Sequence, residues 1–215
     1  KDKSSFFLSG RISYLDMYLK PYSKRLKNEI GEKGETTYDF YDLNAKINYA
    51  FSQEDKLYLS YYSGGDMFFD GGEETEYYVF DDEDEPVRFR YHTGYNQSLQ
   101  WNNNVAALRW NHLFSDKLFA NTSITYSKLA VDFEFTTLDS LFQDDDEEAL
   151  LSSYTQGNYF TGIEDLGVHL DFDLVPNTFH YLRYGLSVHS KKFNPGAVIR
   201  KELIDEPFNA PGDNP

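Results

Sequence analysis

The sequence predicts an all-β fold, an antiparallel up-and-down sheet of about seven strands, and three observations carry that expectation. Apolar and polar side chains alternate with a period of two in stretch after stretch, which puts them on opposite faces of an extended chain. The alternating stretches run to a dozen residues or more, against ~5–6 in ordinary sheets. The segments between them alternate strictly between short and long.

Taken in order, strands are expected at about 5–18, 38–51, 57–68, 99–114, 118–135, 159–174 and 179–193. The first carries Leu8, Ile12 and Tyr14 against Ser9, Arg11 and Ser13. In the second, Tyr41, Leu43, Ala45, Ile47, Tyr49 and Phe51 alternate with Asp42, Asn44, Lys46 and Asn48. Leu57, Leu59 and Tyr61 mark the third; Ala106, Leu108 and Trp110 mark the fourth. Leu118, Ala120, Ile124 and Tyr126 follow in the fifth. Leu166, Val168, Leu170, Phe172 and Leu174 alternate with Gly167, His169, Asp171 and Asp173 in the sixth. Leu182, Tyr184, Leu186 and Val188 do so with Arg183, Gly185, Ser187 and His189 in the last. The connections at 52–56, 115–117 and 175–178 are short, and those at about 19–37, 69–98 and 136–158 are expected to be long polar loops. A further long loop is expected over 194–215.

Composition narrows the class. The 215 residues include 18 Tyr, 18 Phe and 2 Trp but no Cys, and 36 acidic against 20 basic residues give a net charge of -16. So many aromatics are foreign to disordered acidic chains. The acidic field argues against a nucleic-acid partner. Without cysteine there is no disulfide scaffold and no thiol nucleophile, and no apolar run approaches the ~18 residues of a membrane helix.

Strand length and loop asymmetry together point to a transmembrane β-barrel. A strand tilted near 45° crosses a bilayer with ~9–11 residues, and outer-membrane barrels set short turns at one end and long loops at the other. A soluble up-and-down barrel alternates equally well with its apolar face inward. Phe40, Phe68, Phe133, Phe135, Phe160 and Phe193 toward the loops, with Phe51, Phe114, Phe172 and Phe179 beside the turns, are placed as two interfacial girdles. Seven strands cannot close such a barrel without leaving an edge in hydrocarbon, so further strands are expected to complete it.

Several blocks resemble a known family. Tyr41 to Tyr49, Asp55 to Ser60, Phe7 to Asp16 and above all Leu108-Arg109-Trp110-Asn111-His112-Leu113-Phe114-Ser115-Asp116-Lys117-Leu118-Phe119 resemble barrel strands of TonB-dependent outer-membrane receptors of Bacteroidetes type. The resemblance covers about 1–196 and implies an early part of a 22-stranded barrel, with the plug domain outside this chain. It implies localisation in the bacterial outer membrane and energised uptake of a large or scarce nutrient such as a siderophore, glycan or peptide. The implied partners are outer-membrane lipid, TonB acting through the plug, the nutrient, and a surface lipoprotein. No enzymatic activity and no cofactor are expected. The alternative is a structural or adhesion barrel without transport.

Candidate binding residues fall in two groups. Arg109, Arg183, His169 and His189 sit on the polar faces of their strands, where they could meet an anionic ligand or plug residues. The pair His169 and His189, with Asp171 and Asp173 adjacent, has the residue types of a metal or ligand site, and hydrogen bonding within the lumen is the plainer reading. Tyr78 and Tyr91 lie in aromatic-rich stretches able to stack on sugars or peptides. The acidic runs that include Asp81, Asp82 and Asp84, and Asp144, Asp145 and Asp146, are oxygen-rich enough to be weighed for Ca²⁺, though neither has EF-hand spacing and a solvated loop tip is the plainer reading.

Overall fold

The computed structural model describes residues 3–80, 86–143 and 147–205. Its strands are β1 (Ser4–Ile12), β2 (Lys33–Ala50), β3 (Asp55–Phe80), β4 (Val87–Ser115), β5 (Leu118–Gln143), β6 (Leu151–Asn177) and β7 (His180–Asp205), with one helix, α1 (Asp16–Glu29), between β1 and β2. The strands pair in sequence order, each antiparallel to the next, in one open seven-stranded sheet with β1 and β7 at its edges. Among the described residues no helix is long and apolar enough to cross a membrane.

The sheet is a single layer with almost no interior. Ala120 is the one buried apolar residue among those described, and no large side chain is fully buried. What organises the molecule is instead the register. One row runs straight across all seven strands as Phe6, Ile47, Leu59, Leu108, Ile124, Val168 and Val188. The rows above and below it on this first face add Leu8, Tyr61 and Leu166, and Leu57, Trp110 and Leu170. The second face at the same height reads Lys46, Ser60, Thr125 and His189.

Higher up the strands the two faces exchange character. On the first face Ser63, Asn104, Lys128, Glu164 and Lys192 now stand in one row, and Lys128 pairs with Glu164 at 3.1 Å. On the second face Tyr38, Phe68, Leu99, Phe133 and Tyr159 form an apolar row, with Tyr38 and Trp101 rings 6.5 Å apart. This overturns the loop-side girdle: Phe40, Phe68, Phe133, Phe135 and Phe193 point away from the apolar band, and Phe160 alone of the six shares its face. Nearness to a strand end does not say which side a ring occupies; parity does.

Three further expectations are corrected. The segments 69–98 and 136–158 are mostly not loops, because β3, β4, β5 and β6 continue to Phe80, Val87, Gln143 and Leu151. Likewise β7 runs on to Asp205, so 194–205 is strand, with a bulge accommodated at Gly196 (φ +93°). Alternation persists in these stretches, but its chemistry is inverted and thinned by glycine, which hides it from a reading that follows one apolar face. The first strand ends at Ile12 and α1 replaces 16–18 and part of the expected 19–37 loop. Leu15, Tyr18, Leu19, Tyr22, Leu26 and Ile30 have helical spacing, while Pro21 inside the helix gives the opposite signal.

The helix has a mechanical purpose. β1 reaches only to the level of Tyr41, leaving the upper edge of β2 without a neighbouring strand. Exposed ladder groups there would have no partner. Residues of α1 and the turn before it supply them: Thr36 N–H donates to Ser23 Oγ at 2.9 Å, Ser23 Oγ donates to the Thr36 carbonyl at 3.2 Å, and Tyr38 N–H donates to Asp16 at 2.6 Å. Ser13 N–H completes the edge by donating to the Phe40 carbonyl at 2.7 Å.

The far end of α1 closes in a Schellman turn. Gly31 adopts φ +87°, its N–H donates to the Asn28 carbonyl, and Glu32 N–H donates to the Lys27 carbonyl. That turn brings Glu32 back to Lys27, whose ammonium lies 2.8 Å from Glu32, 3.0 Å from Asp70 and 2.7 Å from Tyr95 Oη. Lys27 keeps only 12% of its side-chain exposure. Burial alone would lower its pKa, but the hydrogen bonds to Glu32, Tyr95 and Asp70 outweigh it and hold the ammonium above its ordinary value. Burial likewise pushes Glu32 and Asp70 up, but hydrogen bonds from Lys27 and Tyr95 to Glu32, and from Thr36 and Lys27 to Asp70, prevail and hold both below the ordinary carboxylate range.

Candidate functional site

All six sequence-identified binding residues lie on the second face, in two groups far apart. The lower group sits behind the apolar band. Here a groove of about 380 Å³ is lined by Lys46, Tyr58, Ser60, Arg109, Ser123 and Thr125. Register sets Arg109 between Tyr58 and Ser123, and its guanidinium lies over the Tyr58 ring, 4.5 Å from the centroid. Stacking leaves the planar fork free at its rim for an anionic or carbonyl group.

Just below it Asn111 and Asn121 face each other across the β4–β5 ladder, and the Oδ1 atoms of both are buried without a hydrogen-bond partner. Buried amide oxygens normally have partners. The two asparagines therefore offer unmet acceptors on a polar wall, a feature that residue type alone did not flag.

The register also joins His169 and His189. Gly167 stands beside both, and a Cβ there would come within 2.9 Å of His189 and 3.1 Å of His169. The glycine is what lets the imidazoles approach to 4.9 Å between centroids at 78°. The carboxylate that meets His189 is Asp165, 3.0 Å from its Nδ1, rather than the Asp171 and Asp173 that sequence adjacency suggested. Asp173 instead pairs with Arg183 at 3.2 Å and accepts from the Tyr181 hydroxyl. Arg183 is thus neutralised in place, and Arg109 is the more available cation of the two. Among the described residues no cluster of three or more His, Asp or Glu side chains is arranged to hold a metal.

The upper group lies eighteen residues along β4, roughly 60 Å by strand rise. Tyr78 and Tyr91, far apart in sequence, line one groove with Phe80, Phe89 and Leu141, of about 450 Å³. Pairing explains the convergence: Tyr78 faces Phe89, and Tyr91 faces Leu141. Phe80 and Phe89 meet edge to face at 5.6 Å. The Tyr91 hydroxyl donates to Asp139 at 3.1 Å, which also accepts from Thr93 at 3.0 Å. The Tyr78 hydroxyl donates to Glu76, and that bond holds the phenol above its ordinary pKa, a neutral donor. Both rings are therefore tethered at their polar ends with apolar faces toward the groove. Phe89 and Leu141 were missed by residue type, yet their parity with Tyr91 was available once pairing was known.

Asp81, Asp82, Asp84, Asp144, Asp145 and Asp146 lie outside the described residues. No protein-family model matches the chain, and no curated protein matches it.

Proposed function

We propose that this chain forms part of the wall of a bacterial outer-membrane β-barrel, in a receptor of the TonB-dependent kind that takes up a large or scarce nutrient. One observation carries the reading: the apolar band on a single face at the end that bears the short turns. Between Tyr41 and Tyr49 on β2, and between Leu166 and Leu174 on β6, it is nine residues tall. That matches the ~9–11 residues a tilted strand needs to cross hydrocarbon.

Further support comes from how little is buried among the described residues. Large apolar side chains such as Leu186 (63% exposed) and Val188 (60%) lie on the surface of a one-layer sheet. Apolar patches of that extent belong against lipid or protein rather than water. In this reading the second face lines the lumen, with the Arg109 groove and the histidine pair toward the periplasm and the aromatic groove outside the cell. β1 and β7 pair with further strands, because an open edge in hydrocarbon costs several kcal/mol per unpaired group. Lipid, TonB acting through a plug, the nutrient and a surface lipoprotein are the partners that follow.

The decisive experiment has two arms. The native protein is expected in the outer-membrane fraction, extractable only with detergent, and its deletion should abolish uptake of at least one nutrient. A fluorophore attached at Val168→Cys should be quenched by a lipid-phase quencher, and Ser187→Cys, on the opposite face of the neighbouring strand, should be labelled by a water-soluble maleimide. Recovery as a detergent-free soluble monomer would overturn the reading.

A further inference from the structure

The aromatic groove at the upper end does not stand alone. Below its rings, on the same face, are Glu74, Glu76 and Asp139. The chain on either side is more acidic still: over residues 74–91 and 139–151 there are thirteen carboxylates against two arginines. One of these, Arg90, lies over Phe142, 4.1 Å from the centroid, and both residues belong to the opposite face by parity.

The chemistry of an occupant follows. A neutral glycan would use the rings but gains nothing from so strong a negative field, and an anion would be repelled. A cation over an aromatic face in such a field is attracted twice, by the ring quadrupole and by the carboxylates. The groove holds one or two side chains rather than a whole ligand, whereas Glu74, Glu76 and Asp139 lie beyond its rings along the same face. A ligand carrying several cations with apolar or aromatic groups between them fits both facts.

We propose that the groove formed by Tyr78, Phe80, Phe89, Tyr91 and Leu141 is a recognition site for lysine- or arginine-bearing peptides. The site rests on the receptor reading for its place in the cell, but binding itself does not. The tyrosines act as preorganised walls, their hydroxyls tethered to Glu76 and Asp139 so that the ring faces stay turned to the groove.

Calorimetry on the purified protein in detergent micelles tests this with three probes: a hexapeptide alternating lysine and phenylalanine, its counterpart with glutamate in place of lysine, and maltohexaose. Only the lysine peptide is expected to bind. Its affinity should fall about tenfold in Tyr78→Ala or Phe89→Ala, and more steeply as salt is raised from low to high. Tyr78→Phe, which keeps the ring and loses the tether, should lie between wild type and Tyr78→Ala, and guards against a variant that merely misfolds. Binding of the glutamate peptide or of maltohexaose in place of the lysine peptide, or affinity unchanged in Tyr78→Ala, overturns the proposal. Peptide binding without any uptake defect in a deletion strain would sink the receptor reading and leave the groove intact. Uptake without peptide binding would do the reverse.

Discussion

Two rows of side chains, nine residues apart on β2, have the same geometry and opposite placement. The lower row, through Ile47, Leu108 and Val168, puts its apolar groups on the first face; the upper row, through Tyr38, Leu99 and Phe133, puts them on the second. The strands do not change course between them, because ladder pairing runs on without a bulge from Ala50 to Lys33 and from Leu118 to Leu141. In the proposed receptor, what changes is the medium each face has to meet. A sheet can thus be continuous in hydrogen bonding and divided in solvation, and the division, near Ser63 on β3, marks where the proposed membrane ends.

The largest effect that could break the comparison is a charge placed in the lower row. Leu108→Arg should cost about 2–4 kcal/mol if that row faces lipid, whereas Asn102→Arg, on the same face but six residues higher, should stay within about 0.5 kcal/mol. Urea unfolding in lipid vesicles measures both, and equal costs would erase the distinction between the rows.

Next comes the anchor beside the upper row. Lys27→Met should destabilise by about 1–3 kcal/mol, since Glu32 and Asp70 would be left facing each other without their shared cation. The same anchor has a pH window. Glu32 and Asp70, held below their ordinary values, contribute stability that is present above the ordinary carboxylate range and lost as pH falls through their lowered values. Lys27, held above its ordinary value, contributes stability that is complete below ~10.4 and lost as pH rises through the raised value. Wild type should therefore lose stability toward acid more steeply than Lys27→Met, and parallel curves would show that the anchor contributes nothing.

Removing the edge cover is a smaller change. Ser23→Ala deprives Thr36 N–H of its acceptor and should cost about 1 kcal/mol, with faster amide exchange at Thr36 and none at Ala45, which β1 pairs. Smallest of all is Arg109→Lys in the lower groove, at about 0.5–1 kcal/mol from the lost stack on Tyr58. Thermal unfolding in micelles resolves it against Arg183→Lys, whose partner Asp173 a lysine can still reach.

The stretches read most easily in the sequence were those of the lower row. Between Tyr41 and Tyr49 every second residue is apolar or aromatic and the others are polar, and β2 and β6 were recognisable from that alone. The upper half of β3 was harder, since Gly64, Gly65, Gly71 and Gly72 carry no face signal and Asp66, Asp70, Glu74 and Glu76 share the parity of Phe68, which masks it as an apolar position. α1 was obscured by Pro21 and by lysines that looked like loop. Of the candidate site, the residue types Tyr78, Tyr91, His169 and His189 were visible, but their company was not. Phe89 and Leu141 join the tyrosines, and Asp165 displaces Asp171 beside His189, only because the strands pair in this particular register.

By itself the amino-acid sequence determined the all-β class, the antiparallel order and the alternation, because a period of two is a local property of each strand. Tertiary structure alone decided which parities share a face across seven strands and where that face changes character. It also decided how a helix completes the edge that β1 leaves open. The physical reason is that a shift of one residue in pairing moves every side chain to the other side of the sheet, so faces belong to the register and not to any strand on its own.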